Sequence, residues 1–204
     1  LREPTVDITT IDDSVRELYR DLCDSMYAEN GLGMAAPQVG ESLRIALAEV
    51  EGVNRRYPYK PPIPLTVIVN PVIEPIGAET VAINEGCLSV PGLRGEVPRH
   101  LRVRVRYRDR EGAERELVAS GMTAGTFQHE VDHLDGVLFC DRADPRSFST
   151  WEQFERRRVA TIEDDGRAGL REPDGDAVAE PARSTRDERD LAGEVEWIPG
   201  HGKF

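Results

Sequence analysis

His129-Glu130-Val131-Asp132-His133 sets two histidines four residues apart with a glutamate beside the first. On a helix, both imidazoles leave one face about a turn apart, close enough to share a metal ion. Glu130 flanks that face, placed to act as a base toward a water that the ion has acidified.

A catalytic ion of the zinc type takes three protein ligands and keeps one position for water, so the third ligand decides the class of chemistry. The metzincin pattern fails on the motif's own continuation: Gly136 falls in place, but Phe139 stands where the third histidine belongs. A peptidase arrangement with a glutamate from a later helix stays open, with Glu152 and Glu155 at plausible spacing. A second candidate lies upstream in Glu85-Gly86-Cys87-Leu88-Ser89, where a strand end could present the Cys87 thiolate, a softer and tighter ligand than a carboxylate. Taken alone, a cysteine there is more often a small buried apolar residue.

The elements that must position these groups are legible in outline. Val15, Leu18, Leu22 and Met26 recur at three- and four-residue steps, predicting an amphipathic helix from Asp12 to about Glu29 with Cys23 near its core face and a stop at Asn30-Gly31. Aliphatic and β-branched runs predict strands over 43–48, 65–69 and 72–83, bounded by turn residues that include the proline-dense stretch 58–64. Residues 101–107 alternate apolar and basic and read as a strand with one wet face, its arginines solvated; the turn at 109–112 and the run 114–119 complete a hairpin. The helix carrying the two histidines is expected from about Thr123 to Leu134, ending at Asp135-Gly136, and apolar on more than one side. A last helix should begin near Ser149 or Thr150, where Thr150 and Gln153 have capping-box spacing, and end in the basic run Arg156–Arg158. The fold class is α+β: antiparallel strands packed around a central helix bearing the histidine motif, with N-terminal and C-terminal flanking helices.

The chain has 204 residues and a formal net charge of -12, which argues against a nucleic-acid-binding face. No run approaches the ~20 apolar residues of a membrane span, and no basic-then-apolar signal segment opens the chain. Three cysteines suit a reducing compartment better than a disulfide framework, so a cytoplasmic protein is expected. Residues 163–204 hold twelve Asp or Glu against six Lys or Arg and are expected to be a disordered acidic tail after a catalytic domain spanning 1–162. Since the sequence begins at Leu1 rather than Met, a fragment or a processed product is expected.

Three segments together, Gly31-Leu-Gly-Met-Ala-Ala-Pro-Gln38, Glu85-Gly-Cys-Leu-Ser89 and Gln128-His-Glu-Val-Asp-His133, resemble the three signature motifs of peptide deformylases in order and separation. The resemblance covers about residues 1–160 and implies a metal held by Cys87, His129 and His133, with Fe2+ expected and Zn2+, Ni2+ or Co2+ as substitutes. It implies Glu130 as the proton carrier, Gln38 and the backbone N–H of Leu88 as donors to a developing oxyanion, and formyl-methionyl nascent peptides as substrates. Gly31 and Gly33 would let the backbone approach the substrate closely. Leu32, Leu88 and Phe127 are expected to help line a pocket for the methionine side chain. Arg94, seven residues after Cys87, is expected to order Glu85 or the motif loop, and Arg99 with Asp132 forms a candidate supporting pair. His100 and His201 have no ligand-like spacing. A ribosomal partner rests only on Arg156–Arg158, a run that a helix C-terminus would favour in any case. Two rivals remain: the peptidase with Glu152 or Glu155 as ligand, and a paralogue that binds an inhibitor or acts on another formamide.

Overall fold

This computed structural model describes residues 1–51, 60–157 and 195–198. Its first helix, α1 (Asp13–Ala28), is capped by Asp12, whose carboxylate accepts from the N–H groups of Ser14 and Val15, a contribution of about 1 kcal/mol. Val15, Leu18, Leu22, Cys23 and Met26 are its buried residues, as their spacing predicts. The chain leaves it through Asn30 at a φ of 52°.

Strands β1 (Gly33–Ala35), β2 (Ile45–Val50) and β3 (Ile63–Pro75) follow, with a 3-10 turn at Ala36–Val39 between the first two. Next come β4 (Thr80–Cys87), β5 (Val90–His100), β6 (Arg102–Arg108), β7 (Glu114–Ser120) and the central helix α2 (Gly121–Leu134). The short helix α3 (Phe139–Arg142), strand β8 (Ser149–Thr150), a helix α4 over 151–157 and strand β9 (Val195–Ile198) complete the order. Two antiparallel sheets result, one ordered β1-β2-β3-β6-β7-β9 and the other β4-β5-β8.

The large sheet is covered on both faces at β2 and β3, which explains why their sequences run apolar without alternation. Ile45, Leu47, Val67 and Val69 point to α1 and join its core. Ala46, Ala48 and Ile68 point the other way, toward Phe127, Val131 and Leu134 of α2. Two alanines on that face leave room for the helix to approach closely. Thirteen of the fourteen α2 residues are buried, so the motif helix is the centre of the molecule.

Several expectations need correction. The aliphatic run 72–83 is not one strand: its first part closes β3, Gly77 turns the chain at a φ of 81°, and β4 starts at Thr80. Conversely 65–69 and 72–75 belong to one strand, joined through an irregularity between Val69 and Val72 where Asn70 takes a φ of 50° and exchanges two hydrogen bonds with the backbone of Ile8. The acidic tail is not wholly without structure, because Val195–Ile198 pairs along β7 and Glu196 lies 3.9 Å from Arg102. The rest of the tail, His201 and Arg158 lie outside the described residues. At α4 the expected capping box is present: Thr150 Oγ accepts from Gln153 N–H at 3.2 Å and Gln153 Oε1 from Thr150 N–H at 3.0 Å. Among the described residues, no helix is long and apolar enough to cross a membrane.

Candidate active site

Strand β4 lies along α2, and the two repeats mesh. Two strand residues advance about 6.8 Å and four helix residues about 6 Å, so alternate β4 residues meet successive turns of the helix. Ile83 packs over Gly125, where an added Cβ would lie 2.5 Å from Ile83 Cδ1. Glu85 Oε2 meets His129 Nδ1 at 2.9 Å, and Cys87 Sγ meets His133 Nε2 at 3.2 Å.

The last pair belongs to a larger group: one donor atom each from Cys87, His129 and His133 lies within 4.8 Å of the other two. Tetrahedral bonds of ~2.0–2.3 Å place donors ~3.5–4 Å apart, so the spread fits one ion. A thiolate with two imidazoles suits a borderline or soft divalent metal. Because Glu85 holds the Nδ1 of His129, the Nε2 of that ring is left for the centre. Burial would lower the His129 pKa, but hydrogen bonds to Cys87 and Glu85 hold it up at about 10. Burial, with the repulsion of His129, pushes His133 down to about 3; a ligand ring must be neutral at its donor nitrogen, so an ion binding here displaces the His129 proton.

Behind His129 stands a buried charge chain. Arg99, 3% exposed, donates through Nε to Glu85 Oε1 at 2.7 Å and through one terminal nitrogen to Glu85 Oε2 at 2.8 Å, with the other terminal nitrogen on Asp132 at 2.6 Å. Asp132 in turn accepts two bonds of 2.8 Å from Arg142 of α3. Burial alone would raise the Glu85 carboxyl, yet Arg99 and His129 bring it down to about 2, so it stays an acceptor for His129.

Glu130 leans on the backbone of Gly33, where an added Cβ would sit 2.1 Å from Glu130 Oε1. Its Oε2 is buried without a protein hydrogen-bond partner, and burial raises the carboxyl to about 7, with His129 and Lys60 pulling the other way. A carboxyl that titrates near neutrality beside an ion site is matched to carrying protons. Gln38 is fixed at its other end: its Oε1 accepts from Ala35 N–H at 2.8 Å, so its Nε2 points to Ser89 Oγ at 3.1 Å and to Cys87 Sγ at 3.9 Å. Leu88 follows Cys87 in the β4–β5 turn, packs toward the α1 core and, with Leu32, borders a cleft of about 300 Å³ that includes Cys87, His129, Glu130 and Gln38.

Not every expected residue arrives here. Phe127 is fully buried in the core with Val103, Val105 and Leu117, on the opposite side of α2 from His129, and does not line the cleft. Truncating it would cost the ~3–5 kcal/mol of a core phenylalanine. Arg94 lines the cleft but does not hold Glu85; it donates to the Asn84 side chain and carbonyl at 2.7 and 2.9 Å and stacks under Trp151 and Phe154. Gly33 makes room for Glu130 rather than only for a ligand. Glu152 is exposed, and neither it nor Glu155 belongs to the one donor group found among the described residues. Of His100, Nδ1 is buried without a partner and far from ligand company. Sequence reasoning missed Ile83, Met122, Thr126 and Lys60 in the cleft wall. The first three follow from stepping by two back from Cys87 and by three and seven back from His129; Lys60 carries no periodic signal.

Comparison with known proteins shows the family. The family model described as polypeptide deformylase matches residues 1–149. Peptide deformylase 1 of Prochlorococcus marinus is 47% identical over 145 residues, covering 71% of this chain and 76% of that one. The peptide deformylase of Chlorobaculum parvum is 44% identical over 155 residues, with 74% and 80% covered. Among solved structures, a Synechococcus elongatus peptide deformylase in complex with actinonin superposes with a TM-score of 0.64 at 39% identity, over 72% of this chain and 74% of that one. A Met-Ala-Ser-bound class I type b peptide deformylase from Acinetobacter baumannii gives 0.66 at 37%, over 69% and 90%.

Proposed function

The chain belongs to the polypeptide deformylase family of enzymes, and on that premise we propose that it hydrolyses the formyl group from the N-terminal formyl-methionine of newly made polypeptides. The reaction breaks one amide bond: water adds to the formyl carbon, formate leaves with the oxygen, and the amine keeps a proton. The observation that carries the reading is the convergence of three donors, Cys87, His129 and His133, beside the cleft that Glu130, with its unpartnered Oε2, also borders.

Cys87, His129 and His133 would hold the ion, with Fe2+ the proposed occupant and Zn2+, Ni2+ or Co2+ as substitutes. A divalent ion there supplies Lewis acidity, lowering the pKa of water toward neutrality and polarising a carbonyl. Glu130 takes the proton of the attacking water at Oε2 and returns it to the leaving nitrogen, a task its carboxyl near 7 suits. Gln38 Nε2, held by the Ala35 bond at the other end of its amide, and the Leu88 backbone N–H donate to the developing oxyanion. The Arg99–Glu85 pair keeps the His129 ring oriented. The methionine side chain runs along α2 away from the ion, against Leu32, Ile83, Met122, Gly125 and Thr126, all of which border the cleft. The Acinetobacter baumannii relative binds Met-Ala-Ser, the peptide this reaction would leave.

The protein would act in a reducing, cytoplasmic setting, consistent with free Cys23, Cys87 and Cys140. Contact with ribosomes through the exposed Arg156 and Arg157 is part of the proposal, and equal ribosome pelleting after both become alanine would remove it. The deciding experiment incubates iron-loaded protein anaerobically with formyl-Met-Ala-Ser and measures formate. Formate release that Cys87→Ser lowers together with bound iron supports the reading; iron-replete protein that releases none overturns it.

A further inference from the structure

The cleft wall contains a feature that an all-apolar methionine pocket does not require. Thr126 lies one turn before Glu130 on α2 and three residues before His129, so its side chain neighbours theirs on the helix surface. Its hydroxyl, in a residue only 6% exposed, donates to the Met122 carbonyl at 3.2 Å and accepts from the ammonium of Lys60 at 3.3 Å, and Thr126 and Lys60 border the cleft with Ile83 and Met122. The wall of the cleft that holds Cys87 and His129 therefore also includes Gly125, a hydroxyl and a cation.

We propose that Lys60 is a specificity-determining residue, whose ammonium, seated on the Thr126 oxygen, makes one wall of the first-residue pocket a hydrogen-bond donor site. This extends the substrates to formyl peptides whose first side chain carries an acceptor where methionine has its sulfur, the nearest such group being methionine sulfoxide. The inference rests on the deformylase reading of the site. Four helix residues, about 6 Å, separate the level of Glu130 from that of Thr126, and an unbranched side chain of methionine length spans that distance. A thioether is a weak acceptor and gains little from the ammonium. A sulfoxide oxygen is a strong acceptor and gains a charge-assisted bond in a partly desolvated wall. In a pocket closed by Ile83 and Met122 alone, the same oxygen would lose its water without compensation.

The test compares kcat/KM for formyl-Met-Ala-Ser, its methionine sulfoxide analogue and its norleucine analogue, using metal-loaded wild type, Lys60→Met and Lys60→Arg. The ratio of sulfoxide to norleucine should fall by about tenfold in Lys60→Met and be largely retained in Lys60→Arg, while the ratio of methionine to norleucine stays constant. Calorimetric binding of Met-Ala-Ser and its sulfoxide to the same proteins should show the same selective loss without any turnover. A ratio unchanged in Lys60→Met, in turnover and in binding, overturns the proposal. Formate release from none of the three peptides by metal-replete wild type overturns the deformylase reading itself, and the proposal with it.

Discussion

Replacing Arg99 with methionine tests whether the ion site is held by its surroundings or only by its ligands. The guanidinium is almost wholly buried and makes three bonds, two to Glu85 and one to Asp132. Asp132 keeps the two bonds from Arg142 and loses little. Glu85 keeps only His129, so its carboxylate is left buried with one partner in place of two. Removing one partner of a buried pair costs ~3–5 kcal/mol, and the lower end applies because Glu85 can escape by protonating once nothing holds its pKa down. At ~3 kcal/mol, a domain of this size should lose roughly 6–12 °C in Tm. A protonated Glu85 is also a poorer acceptor for His129 Nδ1, and weakening such a support typically costs 10–100-fold in metal affinity, so a shift of about that size is expected. Calorimetric melting of the metal-loaded protein reads the first effect, and chelator competition with Zn2+ or Co2+ the second. The double variant Arg99→Met/Glu85→Gln separates them: with no uncompensated charge, stability should recover while affinity stays low. A single variant that melts within about 2 °C of wild type and binds metal within about twofold, or a double variant as unstable as the single, would refute the account.

Gly33→Ala should lower turnover by about 100-fold or more, since its Cβ would fall 2.1 Å from Glu130 Oε1 and the carboxylate must move; bound metal per chain, measured by elemental analysis, should hardly change. Gln38→Ala should cost ~10²–10³ in kcat with a smaller change in KM; a loss seen only in KM would reassign the residue to ground-state binding. A pH titration probes a pair outside the ion site: the bond from Tyr27 to Glu49, with partial burial, raises the Tyr27 phenol to about 12. The neutral phenol is the form favoured by folding, so its contribution is complete below the ordinary value of 10.0 and is lost as pH rises toward 12. Ultraviolet difference titration should show one late-ionising tyrosine return toward 10 in Glu49→Gln, while Tyr107, raised by burial, stays late; an unchanged curve would disprove the pairing.

What the sequence revealed and what it hid divide along a physical line. His129, His133 and Glu130 were legible as a group because helix geometry ties their directions to their spacing, whereas Cys87, which alone reads as a small buried apolar residue, was tied to them only by the resemblance of three motifs taken together. Phe127 was misplaced by treating sequence adjacency as spatial adjacency: at about 100° per residue, two steps from His129 turn a side chain to the far face of α2, into the core. Arg94 and Arg99 are five residues apart on one strand, yet only the second reaches Glu85, because β4 and β5 pair with Glu85 opposite Gly95 and Gly86 opposite Arg94. That register is a property of the sheet and is not written in either segment. The break at Gly77 was masked by aliphatic neighbours, and β9 by acidic composition.

The mesh of β4 with α2 explains why so many of these positions are small or charged rather than merely apolar. A helix and a strand can keep Ile83, Glu85 and Cys87 in step with Gly125, His129 and His133 only if they lie very close, and Gly125 permits that because Ile83 fills the space of its missing side chain. Close approach excludes water, so each polar group must bring a protein partner or remain costly. Arg99 answers for Glu85, and Glu85 for His129. The exception among the carboxylates here is Glu130 Oε2, buried and without a partner. Among the site's carboxylates, which are otherwise paired, that oxygen is where a proton must be able to arrive and leave.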